Sequence, residues 1–254
     1  MVIHTYEQGA RGRACAALLR MSPKLSDVGQ VILLPIPTSR DGVTLSSGES
    51  FESAVGPAEA GAVVAGYSIP DNLRCAFEKM GCRVIDSALD EEFLVANGEL
   101  TADATLGILL TTEKRAPRDM RIGVVGYGRI GKRLTRVLLY LGAEVRVYTS
   151  RSNTRLELCE YGVASRMSIA DADLSGLDVL INTAPAKIFD TAAESFPSEL
   201  RIIDLAGGSN FPDCPSVEKY PSLPAAALPL SAGRIWAESI ERAVADRIGE
   251  EPSN

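Results

Sequence analysis

Histidine is almost absent: His4 is the only one in 254 residues. It lies in a short apolar stretch at the start of the chain, where a satisfied or strand-edge histidine is the ordinary role. Dehydrogenases that interconvert 2-hydroxy and 2-keto acids commonly carry the hydroxyl proton on a histidine, so that chemistry is disfavoured. No CxxC pair occurs among Cys15, Cys75, Cys82, Cys159 and Cys214. The five therefore read as reduced thiols, and no metal site is expected. No GxSxG nucleophile turn is present either, which leaves a serine hydrolase without support. Basic residues are in deficit, 26 Lys and Arg against 33 Asp and Glu for a net charge of -7, which argues against a nucleic-acid partner. No apolar run approaches the roughly 20 residues of a membrane span, and Met1 to Glu7 lack a signal peptide's layout. No membrane association and a cytoplasmic location are expected.

What the chain does have is a core's worth of apolar residues, 46% of the total, arranged as short runs alternating with helix-like stretches. That is the pattern of an α/β protein with two doubly wound parallel-sheet domains, each sheet covered on both faces by helices. In residues 1–100 strands are expected near Val2 to Tyr6, Val31 to Pro35, Ala62 to Ala65 and Arg83 to Ile85, with helices near Arg11 to Arg20 and Pro70 to Met80. An apolar helix over Leu100 to Thr112 leads to the charged, proline-containing joint Lys114 to Asp119. The second domain, residues 101–230, has a strand Ile122 to Val125, a helix Ile130 to Leu141 and a strand Glu144 to Tyr148, then strands near Val179 to Asn182 and Arg201 to Leu205. The tail from Ser231 to Ile248 is an apolar helix that needs a surface to pack on, and it is expected to return to the first domain.

The chemistry sits at Gly126-Tyr127-Gly128-Arg129-Ile130-Gly131. This fingerprint follows a strand, opens a helix and is succeeded by a second strand, which is the context of a Rossmann dinucleotide-binding turn. Gly126 permits the tight turn, Gly128 lets the backbone approach a pyrophosphate, and Gly131 lets helix and strand lie close. The helix start, with Arg129 and Ile130, offers free N–H groups and the positive end of its dipole. At the end of the second strand an Asp or Glu would bond the adenosine ribose; here Thr149, Ser150, Arg151 and Ser152 stand instead, donors suited to a 2'-phosphate. NADP is therefore favoured, with NAD the alternative, and Arg151 also reads as a solvated loop arginine. Asn182, Thr183, Ala184 and Pro185 end a later strand and should border the nicotinamide. For Thr183 and Pro185 a simple strand-ending turn is an equal reading. Asp204 to Gly208 closes the next strand, with Asp204 either a ligand contact or a turn cap.

Several blocks together resemble the dipicolinate synthase A-subunit family. They are Leu33-Leu34-Pro35 leading into Thr38-Ser39, Asn97 through Thr101-Ala102-Asp103-Ala104-Thr105, and the fingerprint itself. Ile181 to Pro185, Asp204-Leu205-Ala206 and Leu228-Pro229 with Ser231-Ala232-Gly233 follow. The resemblance implies a cofactor domain joined to a smaller N-terminal domain and a sporulation enzyme that oxidises dihydrodipicolinate to dipicolinate with NADP. It also implies, as partner, a separate flavoprotein-like B subunit. The chain departs from the family in a shorter N-terminal domain, in Asp103 where Glu is usual, and in a reduced segment before the last helix.

Around this frame, Asn97, Thr101 and Asp103 read as polar groups at the start of a helix crossing between domains. Asn97 and Asp103 are assigned to substrate contact, with Asp103 or a water held by Asn97 as the weak base. Thr101 fits an N-cap or a contact equally. Thr38 and Ser39 lie beyond a strand end, Arg40 is the nearest cation for a substrate carboxylate or else a solvated arginine, and Ser231 is placed on the substrate side. The expected ligand is a small-molecule dicarboxylate bound by a homo-oligomer. Two other readings stand: a catalytically silent dinucleotide-binding scaffold, and a 2-hydroxyacid dehydrogenase-like enzyme with an unusual proton carrier.

Overall fold

Alternation of four- or five-residue apolar runs with helices leaves the central strands buried on both sides, which favours parallel pairing with helical crossovers. A computed structural model describes residues 1–160, 163–166, 174–185, 196–206 and 215–248. Two compact units divide it: Met1–Asn97 with Pro224–Asn254, and Gly98–Leu223.

The first unit holds β1 (Val2–Thr5), α1 (Ala10–Met21), β2 (Gln30–Leu33), α2 (Phe51–Val55), β3 (Val63–Gly66), α3 (Asp71–Lys79) and β4 (Arg83–Asp86). Its sheet is wholly parallel and runs β1-β2-β3-β4 without reversal. Ile32, Leu34 and Val64 pack with Leu73 and Phe77 on one face, while Val31, Leu33, Val63 and Ala65 are equally buried, so both faces are covered. The long helix α4 (Glu91–Thr112) starts in this unit. The last helix, α8 (Pro229–Ile248), packs on α1. Close approach there depends on Gly233, whose Cβ would stand 2.6 Å from Ala14 Cβ and 2.7 Å from the Arg11 carbonyl.

The second unit contains β5 (Arg121–Val125), α5 (Arg129–Tyr140), β6 (Glu144–Tyr148), α6 (Ser152–Glu160), β7 (Ala164–Arg166), β8 (Val179–Asn182), β9 (Arg201–Asp204) and β10 (Val217–Lys219), and the short α7 (Leu223–Ala227) belongs from Pro224 onward to the first unit. The six parallel strands run β10-β9-β8-β5-β6-β7. With β5 as the first strand, this is the Rossmann order 3-2-1-4-5-6, and it reverses between β5 and β8.

Two features differ from the sequence expectations. Helix α4 begins at Glu91, and Thr101 lies in its middle, so the N-cap reading of Thr101 is corrected. The cap is Asp90, whose Oδ1 accepts the Phe93 N–H at 3.1 Å, and Glu91 and Glu92 in the first turn suit the positive end of the helix dipole. By length and composition α4 is also long and apolar enough to cross a membrane. The sequence carries no unbroken apolar run of that length, because Glu99 and Asp103 interrupt the helix.

At the amino ends of the second sheet Arg201 gathers a carboxylate cluster. Its Nε lies 2.6 Å from Glu218 Oε1, Nη2 2.8 Å from Glu218 Oε2 and Nη1 2.9 Å from Glu113 just beyond α4, and it also reaches the Thr112 hydroxyl. This guanidinium holds the Glu218 carboxyl below its ordinary range. Since the folded-state pKa is depressed, the stabilisation is present above the unfolded pKa and is lost as pH falls through the folded value. Arg201→Ala should therefore cost about 2 kcal/mol in urea unfolding near neutral pH, because it leaves the Glu218 carboxylate without its cation, while Glu113 keeps Arg115 at 3.2 Å. The gap to the unsubstituted chain should narrow once the pH drops below about 4. A gap independent of pH would remove Glu218 from the account.

Candidate functional site

Ligands of open α/β sheets bind beyond the carboxyl ends of the strands, at the reversal of strand order. In the second unit that edge is fixed by register: Val125 pairs with Tyr148 on one side and with Asn182 on the other, and Asn182 pairs with Asp204. Gly126, Thr149 and Thr183 therefore each follow a paired strand end. The Gly126 N–H donates to the Tyr148 carbonyl at 2.9 Å, which ties the glycine turn to the end of β6.

The three glycines have separable duties. Gly126 has φ +86°, a left-handed conformation that disfavours any side chain. Gly131 is required by packing, since a Cβ there would stand 2.3 Å from the Gly126 carbonyl oxygen. Gly128 is different: its backbone is extended and nothing lies within 4 Å of where its Cβ would be. The fold tolerates a side chain at Gly128, so the bare backbone there serves something other than the fold. Helix α5 begins directly after it with no side-chain cap and no acid in its first turn. Its first N–H groups and the positive end of its dipole face that open ground, the arrangement that binds a phosphate. The residues present thus fit a dinucleotide. Arg129 is exposed and Ile130 partly buried at the helix start.

Beyond β6, Thr149 is buried and its Oγ1 accepts the Arg151 N–H at 3.3 Å, while Ser150, Arg151 and Ser152 are exposed. Beyond β8, Thr183 buttresses the turn: its Oγ1 donates to the Val125 carbonyl at 2.8 Å. Asn182 is fully buried; its Nδ2 donates to Asp204 Oδ1 at 2.9 Å and its Oδ1 accepts the Ala184 N–H at 3.1 Å. Pro185 is exposed. Asp204 Oδ1 also accepts the Ala206 N–H at 3.2 Å, so the turn-cap reading of Asp204 holds, but its buried Oδ2 has no partner. Gly207 and Gly208 lie outside the described residues.

Not every expected residue sits at this edge. Asp103 is exposed in the middle of α4, 3.5 Å from Arg133 of α5. That is a surface ion pair one helical turn beyond Arg129, not a group held against the glycine turn. Thr101 is buried and its carbonyl accepts the Thr105 hydroxyl at 2.8 Å. Asn97 is partly buried, next to Gly98, whose Cβ position lies 3.0 Å from Arg129 Cβ. In the first unit Thr38 is fully buried, and its Oγ1 accepts the Tyr67 N–H at 3.0 Å. Ser39 donates to Asp41 at 3.1 Å, and Arg40 is exposed. Asp41 organises this loop by accepting the Val43 and Thr44 N–H groups, bonds that hold its carboxyl far below the ordinary range, the Thr44 amide most of all. Ser231 is partly buried in the first turn of α8. Among the described residues no cluster of three His, Cys, Asp or Glu could hold a metal.

Sequence reasoning missed one group beside the glycine turn. Lys132 Nζ lies 5.4 Å above the Tyr127 ring and 3.2 Å from Glu157 of α6, a cation–π contact and an ion pair that join α5 to α6. Its only signal was the Lys one residue past the fingerprint.

Residues 109–188 match the family model of the NAD-binding domain of D-isomer specific 2-hydroxyacid dehydrogenases. The dipicolinate synthase A-subunit of Bacillus subtilis (strain 168) is 26% identical over 170 residues, 63% of this chain and 57% of that protein. The chain is similar to the dipicolinate synthase A-subunit. The crystal structure of that protein from Bacillus subtilis superposes with a TM-score of 0.77 at 19% identity, covering 98% of this chain and 96% of that one. The dipicolinate synthase A-subunit from Bacillus halodurans gives 0.75 at 22% identity, covering 98% of each. These structures establish the fold, and the low identities fit a diverged relative. The sequence match spans little more than half of the curated Bacillus subtilis relative. Together, the family domain and the reversal-point geometry support a nicotinamide-dinucleotide-binding unit of the dehydrogenase type.

Gly128→Ala should leave the melting temperature unchanged and weaken NADPH binding by at least roughly tenfold, about 1.4 kcal/mol, in a fluorescence titration. Gly131→Ala should instead cost about 1–3 kcal/mol of stability through overpacking. Normal affinity in Gly128→Ala would show that the phosphates lie elsewhere.

Proposed function

We propose that the chain is an NADP-dependent oxidoreductase acting on a small dicarboxylate, with dihydrodipicolinate as substrate. The observation that carries this reading is the pairing of an uncapped α5 and the open Gly128 with a β6 end that lacks an acid. Backbone N–H groups at the start of α5 would take the pyrophosphate. Thr149, Ser150, Arg151 and Ser152 would take the adenosine end, where hydroxyls and a guanidinium donate to a 2'-phosphate that a carboxylate would repel. Asn182, held by Asp204 and Ala184, is a rigid polar post at the other side of the reversal. Asp204 Oδ2 is the acceptor left over for a carboxamide there. The bound nicotinamide supplies hydride transfer, and aromatisation of a dihydropyridine ring needs little from the protein beyond orientation. Similarity to one component of a multi-component synthase motivates a search for a flavoprotein-like partner in the cytoplasm, and a homo-oligomer remains part of the proposal.

Within this reading, Asp103 is left out as proton carrier because Arg133 engages it at the surface. Asn97 keeps the assigned role of holding substrate or water. Arg40 and Ser231 stay as candidates for a substrate carboxylate, with Ser39 beside them. The engagement of both Asp103 and the Thr38 hydroxyl favours a second reading, a dinucleotide-binding protein that does not turn over. Incubation with dihydrodipicolinate and NADP separates the two: dipicolinate formed at the rate of NADPH appearance supports the enzyme, and tight binding without product supports the silent form.

Cofactor choice is tested directly by titrating both reduced dinucleotides. NADPH should bind more tightly than NADH by at least roughly tenfold, and Arg151→Ala should reduce NADPH affinity by about 1 kcal/mol or less. Equal or reversed affinities in the unsubstituted chain would remove the NADP assignment.

A further inference from the structure

Helix α6 starts against the rules of helix electrostatics. Its first turn carries no acid, although that is where carboxylates stabilise a helix. Arg151 stands immediately before it and Arg155 one turn in, with the Arg155 N–H donating to the Arg151 carbonyl at 3.3 Å. Residues four apart share a helix face, and like charges so placed repel. Glu157, within the same helix, faces Lys132 of α5 at 3.2 Å, so it does not answer the arginines.

Arg155 adds a second anomaly. It is partly buried, and its Nε is shielded from solvent with no hydrogen-bond partner. Arg11 Nε is likewise without a partner, but Arg11 pairs with Glu7 at 3.0 Å, and other partly buried arginines are matched by acids: Arg74 by Asp86 at 2.9 Å, Arg201 by Glu218 and Glu113, Arg242 by Asp90 at 2.8 Å. A shielded donor without an acceptor is costly, and such departures from local consistency concentrate where a ligand supplies the missing partner. The location fits one ligand group. Residues from Thr149 onward leave the end of β6, which the Gly126 N–H joins directly to the phosphate turn, and the ribose of a dinucleotide held on that turn comes to the end of this strand.

We propose that Arg155, more than Arg151, sets the preference for NADP by pairing with the 2'-phosphate dianion on the adenosine ribose. Arg151 is exposed, and an exposed cation is screened by water; a partly buried guanidinium acts through a lower dielectric and with a fork of donors. The phosphate supplies the anion that the start of α6 lacks and relieves the repulsion between the two arginines. This inference rests on the NADP reading of the site.

The test compares Kd values of the full chain for NADPH, NADH and the isolated probe adenosine 2',5'-bisphosphate, in the unsubstituted protein and in Arg155→Ala, Arg155→Lys and Arg151→Ala. Arg155→Ala should weaken NADPH and the bisphosphate by roughly ten- to a hundredfold with NADH within about twofold, Arg151→Ala should have the smaller effect, and Arg155→Lys should fall between. Without ligand, the melting temperature of Arg155→Ala should be equal or higher, because an unpaired buried donor and a repulsion are both removed. A lowered melting temperature with unchanged discrimination would make Arg155 a structural residue and overturn the inference, as would discrimination that depends on Arg151 alone. Both of those outcomes leave an NADPH preference in the unsubstituted chain, whereas absence of that preference overturns the NADP reading and this inference with it.

Discussion

The contact on which the cofactor unit depends is the approach of α5 to the end of β5, where the backbone of Gly131 passes so close to the Gly126 carbonyl that no Cβ fits between them. That approach aims the helix start at the carboxyl edge of the sheet. Around it the Gly126 N–H is spent on the Tyr148 carbonyl and the Thr183 hydroxyl on the Val125 carbonyl, so the turn is braced from β6 and from β8. The N-cap residue Gly128 brings no side chain to cap α5, and the space beside it is open. A turn braced this closely on both flanks, with its helix start left uncapped, is built to be completed by an anion.

The same logic of supply and deficit runs along the carboxyl edge. At β8 and β9 the polar groups close on one another, Asn182 on Asp204 and Ala184, and leave a single carboxylate oxygen over. At the start of α6 the imbalance is of charge, two arginines and no acid in the first turn. At the amino edge two arginines are matched: Arg201 by Glu218 and Glu113, and Arg115 by Asp178 at 3.0 Å. The contrast assigns stability to one edge of the sheet and ligand chemistry to the other.

Much of this was legible in the residues. The strand β5, the helix α5 and the strand β6 announce themselves through an apolar run, a 3.6-residue stripe and three glycines with distinct backbone tasks. The fold class, α/β with two parallel sheets, followed from the alternation of such runs, and the blocks around the fingerprint carried the resemblance to the dipicolinate synthase A-subunit. Strands β7 and β10 were missed because Ala164–Arg166 and Val217–Lys219 are three-residue edge strands, too short and polar for any period to show. The start of α4 was missed because Thr101 before an apolar run imitates a cap, although Asp90 followed by two glutamates carried the better signal. Arg155 could not be read at all, since its partial burial with Nε shielded and unpartnered, beside a helix start without an acid, exists only once the chain is folded.

The most direct measurement is a crystal structure of the chain with NADPH. The pyrophosphate oxygens should accept hydrogen bonds from the first N–H groups of α5, across the open side of Gly128, with the adenosine ribose at the end of β6. A dinucleotide bound elsewhere, with the start of α5 left in water, would contradict the account.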